Sequence, residues 1–303
     1  MRQWGNSKEL TRASYGLVKE NPGMYRWTIR AAVHGAVVGG LGVLVGLGLV
    51  ALGAAMADGS AGPLGIVVVV LGVLLVLGGM IGGLTAANTQ LAGLVSATDD
   101  VLHGRELDED AARSAAHSRF RALAAWSAIS VGVNAIVSMI SGDGDSGFAV
   151  TIVRSLLAGL VAAVWAVVTT LVMPVIVLED AHAVAAIKRS ASIIRGTWGE
   201  AVLGSVRIGA RFGLMFSLPG ALLLVGGAVL GFTFGGPMIV AGVLLVVAGV
   251  ALVITGAVKA ATCRNVFGVA LYRWATGEGA LGPFSEADLR GAVQVRDSAV
   301  PVA

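Results

Sequence analysis

The sequence predicts an all-α, polytopic membrane protein: a bundle of six transmembrane helices with cytoplasmic amphipathic helices before spans 1, 3 and 5. Three observations carry this. Of the 303 residues, 56% are hydrophobic and only 13% charged, about half the charge of an ordinary soluble domain, so there is more apolar surface than one soluble core can hide. The apolar runs are nearly free of charge and reach or pass the ~20 residues that a bilayer crossing needs. The 21 Lys and Arg residues gather in alternate gaps between those runs.

The elements follow in order. Arg2, Lys8, Arg12, Lys19, Arg26 and Arg30 accompany a modest apolar face of Leu10, Leu17 and Val18, which reads as a short surface helix ending at the turn Asn21-Pro22-Gly23. Trp4, Tyr25 and Trp27 suit the headgroup layer. Span 1 covers approximately 31–56, too long for a secretory h-region, so it is expected to remain uncleaved. His34, one turn beyond Arg30, belongs to the interface. The turn at Asp58–Pro63 leads to span 2, approximately 64–84, whose helix continues through Thr85, Asn88, Thr89 and Gln90 into polar surroundings.

Asp99–Arg121 is the most charged segment, with acids before bases as a helix dipole favours. It reads as a solvated helix. His103 and His117 have no partner at metal-ligand spacing, so no metal site is expected. Span 3 covers approximately 123–140, and the polar turn Ser141–Gly147 leads to span 4, approximately 148–178. Spans 5 and 6 cover approximately 212–232 and 238–257, with Pro219 expected to kink span 5. Residues 1–276 form a single integral membrane domain. Residues 277–303 form a short cytoplasmic tail, partly disordered, with Ser285 capping a last short helix.

Four sets of residues stand out. Between spans 4 and 5, Ile187, Ala191, Ile194 and Trp198 fall on one helix face while Lys188, Arg189 and Arg195 lie off it. Such a helix lies along a membrane surface, and those three bases are the candidate lipid-headgroup contacts. In span 6, Gly242, Gly249 and Gly256 recur every seven residues and form a candidate helix-packing seam. Arg154 and Asn134 are the candidate polar intramembrane residues, Arg154 within reach of Asp143 or Asp145 and Asn134 placed to bond helix to helix. Glu179-Asp180, near Lys188 and Arg189, is the most enzyme-like pair, with ion pairing its simplest role.

Six Lys and Arg precede span 1, four separate spans 2 and 3, five lie between Glu179 and Arg211, five follow span 6, and Arg154 alone sits within a span. Under the positive-inside rule that alternation gives six spans with both termini cytoplasmic, and the expected location is the cell membrane, the plasma membrane, as a multi-pass protein. The order of surface helix then two-span hairpin occurs three times. Setting Ser14 against Ser190 also matches Arg12 with Lys188, Leu17-Val18-Lys19 with Ile193-Ile194-Arg195, and Gly23 with Gly199. A parallel duplication fits that agreement.

SKELTRASYGLVKENP at Ser7–Pro22, MPVIVLEDAHAVAAIKRSASIIRGTWGE at Met173–Glu200 and ALYRWATGEGALGPF at Ala270–Phe284 resemble the six-span prokaryotic integral membrane family known as domain of unknown function 6159. The resemblance covers nearly the whole chain and implies a membrane bundle, with no catalytic residues to carry over. The Lys-Arg-Ser helix before a span also looks like membrane domains attached to some glycerophosphodiesterases, which implies lipid surroundings.

No GxSxG elbow, P-loop, HExxH or Cys/His cluster occurs, and the lone Cys263 supports neither an internal disulfide nor a cysteine metal site. The expected function is therefore that of a non-enzymatic integral membrane protein, without cofactor, catalytic or metal residues. Its basic interfacial helices are expected to engage anionic membrane lipids or a partner, either a second copy in a homo-oligomer or another membrane protein. Nucleic acid is not an expected partner. The alternative is a small-solute or lipid transporter or channel, favoured by glycine-rich spans, Pro174 and Pro219 and disfavoured by the scarcity of deep ionisable groups.

Overall fold

The computed structural model describes residues 2–57, 62–141, 148–198, 212–234 and 237–292. The turns at 58–61, 142–147 and 235–236, the bases Arg207 and Arg211, and the tail beyond Ala292 lie outside the described residues. Among the described residues the regular elements are all helical: α1 (Arg2–Glu20), α2 (Gly23–Ala57), α3 (Gly62–Leu102), α4 (Glu109–Ser118), α5 (Phe120–Ser141), α6 (Phe148–Thr169), α7 (Val172–Leu178), α8 (Ala183–Trp198), a π-helical turn (Gly213–Ser217), α9 (Leu218–Phe234), α10 (Pro237–Ala275) and α11 (Glu286–Ala292). Among the described residues, five stretches are long and apolar enough to cross a membrane: Gly23–Ala57, Gly62–Leu102, Phe120–Ser141, Leu214–Thr233 and Met238–Ala275.

The stretch expected to be a continuous span 4 is divided. α6 ends at Thr169 and α7 starts at Val172. Pro174 is the cause: it has no N–H for the Thr170 carbonyl and its ring crowds that same oxygen, whereas the first turn of a new helix tolerates it. Pro219 acts through a different device. The π-helical turn Gly213–Ser217 lies just before it, widening the backbone where Pro219 has no N–H to offer the Met215 carbonyl.

The chain forms two compact units, one of Met1–Thr28, Thr98–Leu107 and Ile193–Ala303, the other of Ile29–Ala97 and Asp108–Ser192. In the first unit, α1 packs against α10 and α11. Leu10, Leu17, Val18, Met24, Trp27, Val266, Phe267, Leu271 and Leu289 are all buried. Thr28 Oγ1 lies 2.7 Å from Thr262 Oγ1, which fixes the start of α2 to α10. Gly277, Gly279 and Gly282 all have positive φ, of 96°, 81° and 59°, a backbone that L side chains adopt poorly. Those turns bring Phe284 and Leu289 back into the core, so the tail is ordered through α11. Ser285 Oγ accepts from Asp288 N at 3.1 Å, capping α11 as its sequence suggests.

In the second unit, the deeply buried residues include Leu94, Val95, Leu123, Leu171, Val175, Ile176 and Ala186. Ser190 Oγ donates to the Val168 carbonyl at 2.5 Å, joining α8 to the end of α6. Arg30 on α2 pairs with Glu109 on α4 at 3.4 Å. Asn88 Nδ2 donates to Ser127 Oγ at 3.0 Å, so the polar run on α3 faces a neighbouring helix.

In both units the tightest burial lies near the charged ends of the spans, while residues such as Leu44, Leu74, Val240 and Leu244 stay exposed along the apolar stretches. This follows from solvent. In hydrocarbon there is no hydrophobic drive to bury leucine, so spans meet through small residues, whereas near water apolar burial does the work.

Glycine sets two of the hairpins. A Cβ at Gly42 would lie 2.5 Å from Gly79 Cα, and one at Gly83 would lie 2.6 Å from Gly39 Cα. α3 contains two overlapping GxxxG pairs, Gly78/Gly82 and Gly79/Gly83; Gly78 has nothing within 4 Å, so it is the Gly79/Gly83 register that faces α2. In the α9–α10 hairpin, a Cβ at Gly242 would lie 2.5 Å from Gly227 O and one at Gly249 would lie 2.7 Å from Gly220 O, while one at Gly256 would strike Phe216 Cβ. The α5–α6 hairpin differs: Trp126 stacks on Trp165 with centroids 5.7 Å apart.

Candidate interfacial lipid site

On α8 the buried row is Ala183, Ala186, Ser190 and Ile193 with Ile194, while Ile187 and Ala191 are half-buried at its edge. The row is turned by one residue from the face expected on apolar spacing alone. Small side chains at 183, 186 and 190 let this face approach its neighbour, and the Ser190 hydrogen bond holds it there. Lys188 and Arg195 are exposed, one turn either side of Ala191, and share a stripe along the half-buried edge. Arg189 is also exposed but turns back to Glu179, its Nε 3.1 Å and 3.2 Å from the two carboxylate oxygens. Asp180, at φ 53°, pairs with Arg119. Glu179 is thus engaged by Arg189, one of the two bases expected beside it, and Asp180 by Arg119 rather than by Lys188.

The same pattern occurs on α1. Leu10, Ser14, Leu17 and Val18 are buried where Ala186, Ser190, Ile193 and Ile194 are, and Arg12, Tyr15 and Lys19 form an exposed stripe at the places of Lys188, the half-buried Ala191 and Arg195. Arg12 and Tyr15 line a cavity of about 310 Å³ together with Phe212, Met215, Phe216 and Lys259. Its lining is mostly apolar. Lys259 Nζ lies 5.0 Å from the Phe216 ring centroid and 5.9 Å from that of Tyr15, within reach of the attraction between a cation and a ring face. Among the described residues neither Arg12 nor Lys259 has a carboxylate within ion-pair distance, unlike Arg30, Arg105, Arg113, Arg119, Arg189 and Arg273.

The densest charge network joins the ends of α3 and α10. Asp99, 6% exposed, accepts from Arg273 Nε at 2.6 Å and Nη2 at 2.9 Å. Arg273 also donates to Glu278 at 2.5 Å. His103 Nε2 lies 3.2 Å from Glu278, and Arg105 pairs with Asp100 at 2.8 Å. The Asp99–Arg121 segment is therefore not solvated throughout: its first acid is buried and clamped. Asp108 behaves as a helix start should, its Oδ1 accepting from Asp110 N and Ala111 N at 2.9 Å each.

The remaining candidates have local roles. Asn134 Nδ2 donates at 2.9 Å to the Ser130 carbonyl of its own helix rather than across to another. Arg154 is exposed on α6, and the aspartates expected beside it lie outside the described residues. Gly242 and Gly249 face the α9 backbone at contact distance, and Gly256 faces the Phe216 side chain in the π-helical turn before it. The sequence reading singled out neither Arg12 nor Lys259 individually. Arg12 was legible through its match with Lys188; Lys259 carries no signal beyond standing one turn after Gly256. The Asp99–Arg273 pair spans 174 positions and has no local signature.

Comparison with known proteins gives one family. A model described as a family of unknown function, DUF6159, matches residues 84–282. No curated protein and no solved structure matches the chain.

Proposed function

The chain belongs to the family of unknown function DUF6159, and from that premise we propose that it is a non-enzymatic integral membrane protein of the cell membrane whose basic interfacial helices bind anionic lipid headgroups. One observation carries the reading: Lys188 and Arg195 are exposed, have no acid partner among the described residues, and stand beside the half-buried apolar edge of α8. A cation in that position reaches headgroup phosphates while its helix stays at the boundary.

The proposal includes six spans with both termini cytoplasmic. α6, with 22 residues, has a length of about 33 Å at the helical rise, and the sixth crossing rests on it. The alternation of basic and base-free gaps in the sequence supports the orientation.

Changing Lys188, Arg189 and Arg195 together to Gln tests the reading. Each cation near an anionic surface contributes about 1 kcal/mol; Arg189 is already engaged by Glu179, so the triple variant is expected to lose about 2 kcal/mol of preference for anionic over zwitterionic lipid. Native mass spectrometry of the purified protein should show less retained anionic lipid, with the spans still correctly inserted. Undiminished retention would leave these bases a topological role alone.

A further inference from the structure

We propose that the cavity between α1 and the α9–α10 hairpin is a binding site for a single anionic phospholipid, its phosphate held by Arg12 and Lys259 and the start of one acyl chain laid against Phe212, Met215 and Phe216. This rests on the lipid reading above but concerns a different place and a different mode, a discrete site rather than a charged surface.

Three features converge there. First, both cations lack a counter-charge among the described residues, whereas Arg105 and Arg273 of the same unit each have one. Two unneutralised bases at one largely apolar cavity call for an anion. Second, the apolar lining includes two stacked phenylalanines, Phe212 and Phe216, with ring centroids 6.1 Å apart, and Met215, which is 65% exposed. An inorganic anion has no use for that surface; an amphiphile has. Third, the cavity, at about 310 Å³, suits a phosphate with the first carbons of a chain, not a whole lipid, so the rest of the chain runs out along the exposed apolar flank of the hairpin.

Tyr15 adds selectivity. Its ring takes the Lys259 ammonium on one face, fixing where the charge points; α8 has Ala191 at the matching place. The stripe common to α1 and α8 is thereby turned, on α1 only, from a surface into a site.

The full chain in detergent is titrated with phosphatidylglycerol, phosphatidylcholine and inorganic phosphate, and bound species are counted by native mass spectrometry. One phosphatidylglycerol should bind well ahead of phosphatidylcholine and of phosphate. Arg12→Gln with Lys259→Gln should weaken that first lipid roughly 30-fold, the combined effect of two basic charges at an anionic headgroup, while Arg12→Lys with Lys259→Arg keeps it. Met215→Trp fills the apolar side of an exposed position without touching either charge and should also exclude the lipid; it decides the matter if the double variant does not fold. Unchanged phosphatidylglycerol binding in a folded variant of either kind overturns the site, as does phosphate binding equal to the lipid's. Lipid lost on replacing Lys188, Arg189 and Arg195 but kept in the cavity variants rejects the cavity and leaves the α8 reading standing; the reverse pattern rejects α8 and keeps the cavity.

Discussion

Gly249→Leu is expected to destabilise the α9–α10 hairpin, and the size of the effect follows from the backbone. A Cβ at Gly249 would lie 2.7 Å from the Gly220 carbonyl oxygen and 3.0 Å from Leu224 N, against 3.4 Å for ordinary contact. Neither neighbour is the movable end of a side chain, so the helices must separate by about 0.7 Å to admit even alanine, and close contact is lost along the seam. Overpacking of this kind costs about 1–3 kcal/mol for alanine and more for leucine, a fall in Tm of roughly 5 °C or more. Two adjacent glycines on α9 supply the control. Gly227 meets Gly242 O at 2.6 Å, whereas Gly226 has nothing within 4 Å. Gly227→Leu should therefore lower the melting temperature in detergent and in lipid, and Gly226→Leu should leave it nearly unchanged. Equal effects at 226 and 227, or a wild-type Tm for Gly249→Leu, would refute the argument.

Three further outcomes are expected. Asp99→Asn leaves Arg273 with half its anionic partners in a mostly buried place and should cost about 2–3 kcal/mol, with Arg273→Gln adding little on top; a fully additive double-mutant cycle would show that the pair is uncoupled. Leu289→Ala empties a fully buried position on α11 and should loosen the docked tail by about 2 kcal/mol or more, read as faster proteolysis after Arg273 while the spans melt as before. Ser127→Ala removes the partner of Asn88 Nδ2 and should cost about 1 kcal/mol in thermal stability; no change would mean that the seam is packed rather than bonded.

The fold was legible where one residue type has one physical use. Long charge-free runs placed the helices, Pro22 marked a turn, and the seven-residue spacing of Gly242, Gly249 and Gly256 put three glycines on one face, two of which meet α9 and the third Phe216 just before it. Span 4 was harder, because hydropathy does not register the interruption that Pro174 imposes on an apolar run. The face of α8 was misjudged by one residue since apolar spacing weights isoleucine over alanine, whereas close approach favours Ala186 and Ser190. The site itself depends on tertiary placement. Arg12 and Lys259 are two basic residues among 21, and only the packing of α1 on the last hairpin brings them to one cavity. Asp99, in a run of acids that reads as solvent-facing, is buried because α10 delivers Arg273 to it.

The lipid reading requires the basic faces of α1 and of α8 to lie on the cytoplasmic side of the membrane. Cysteine accessibility in intact cells measures this directly. With Cys263→Ala as background, Asp58→Cys, Gly144→Cys and Gly235→Cys should react with an impermeant maleimide from outside. Ile187→Cys, on α8, should react only after the membrane is opened. That pattern is the one the account predicts; labelling at position 187 in sealed cells would contradict it.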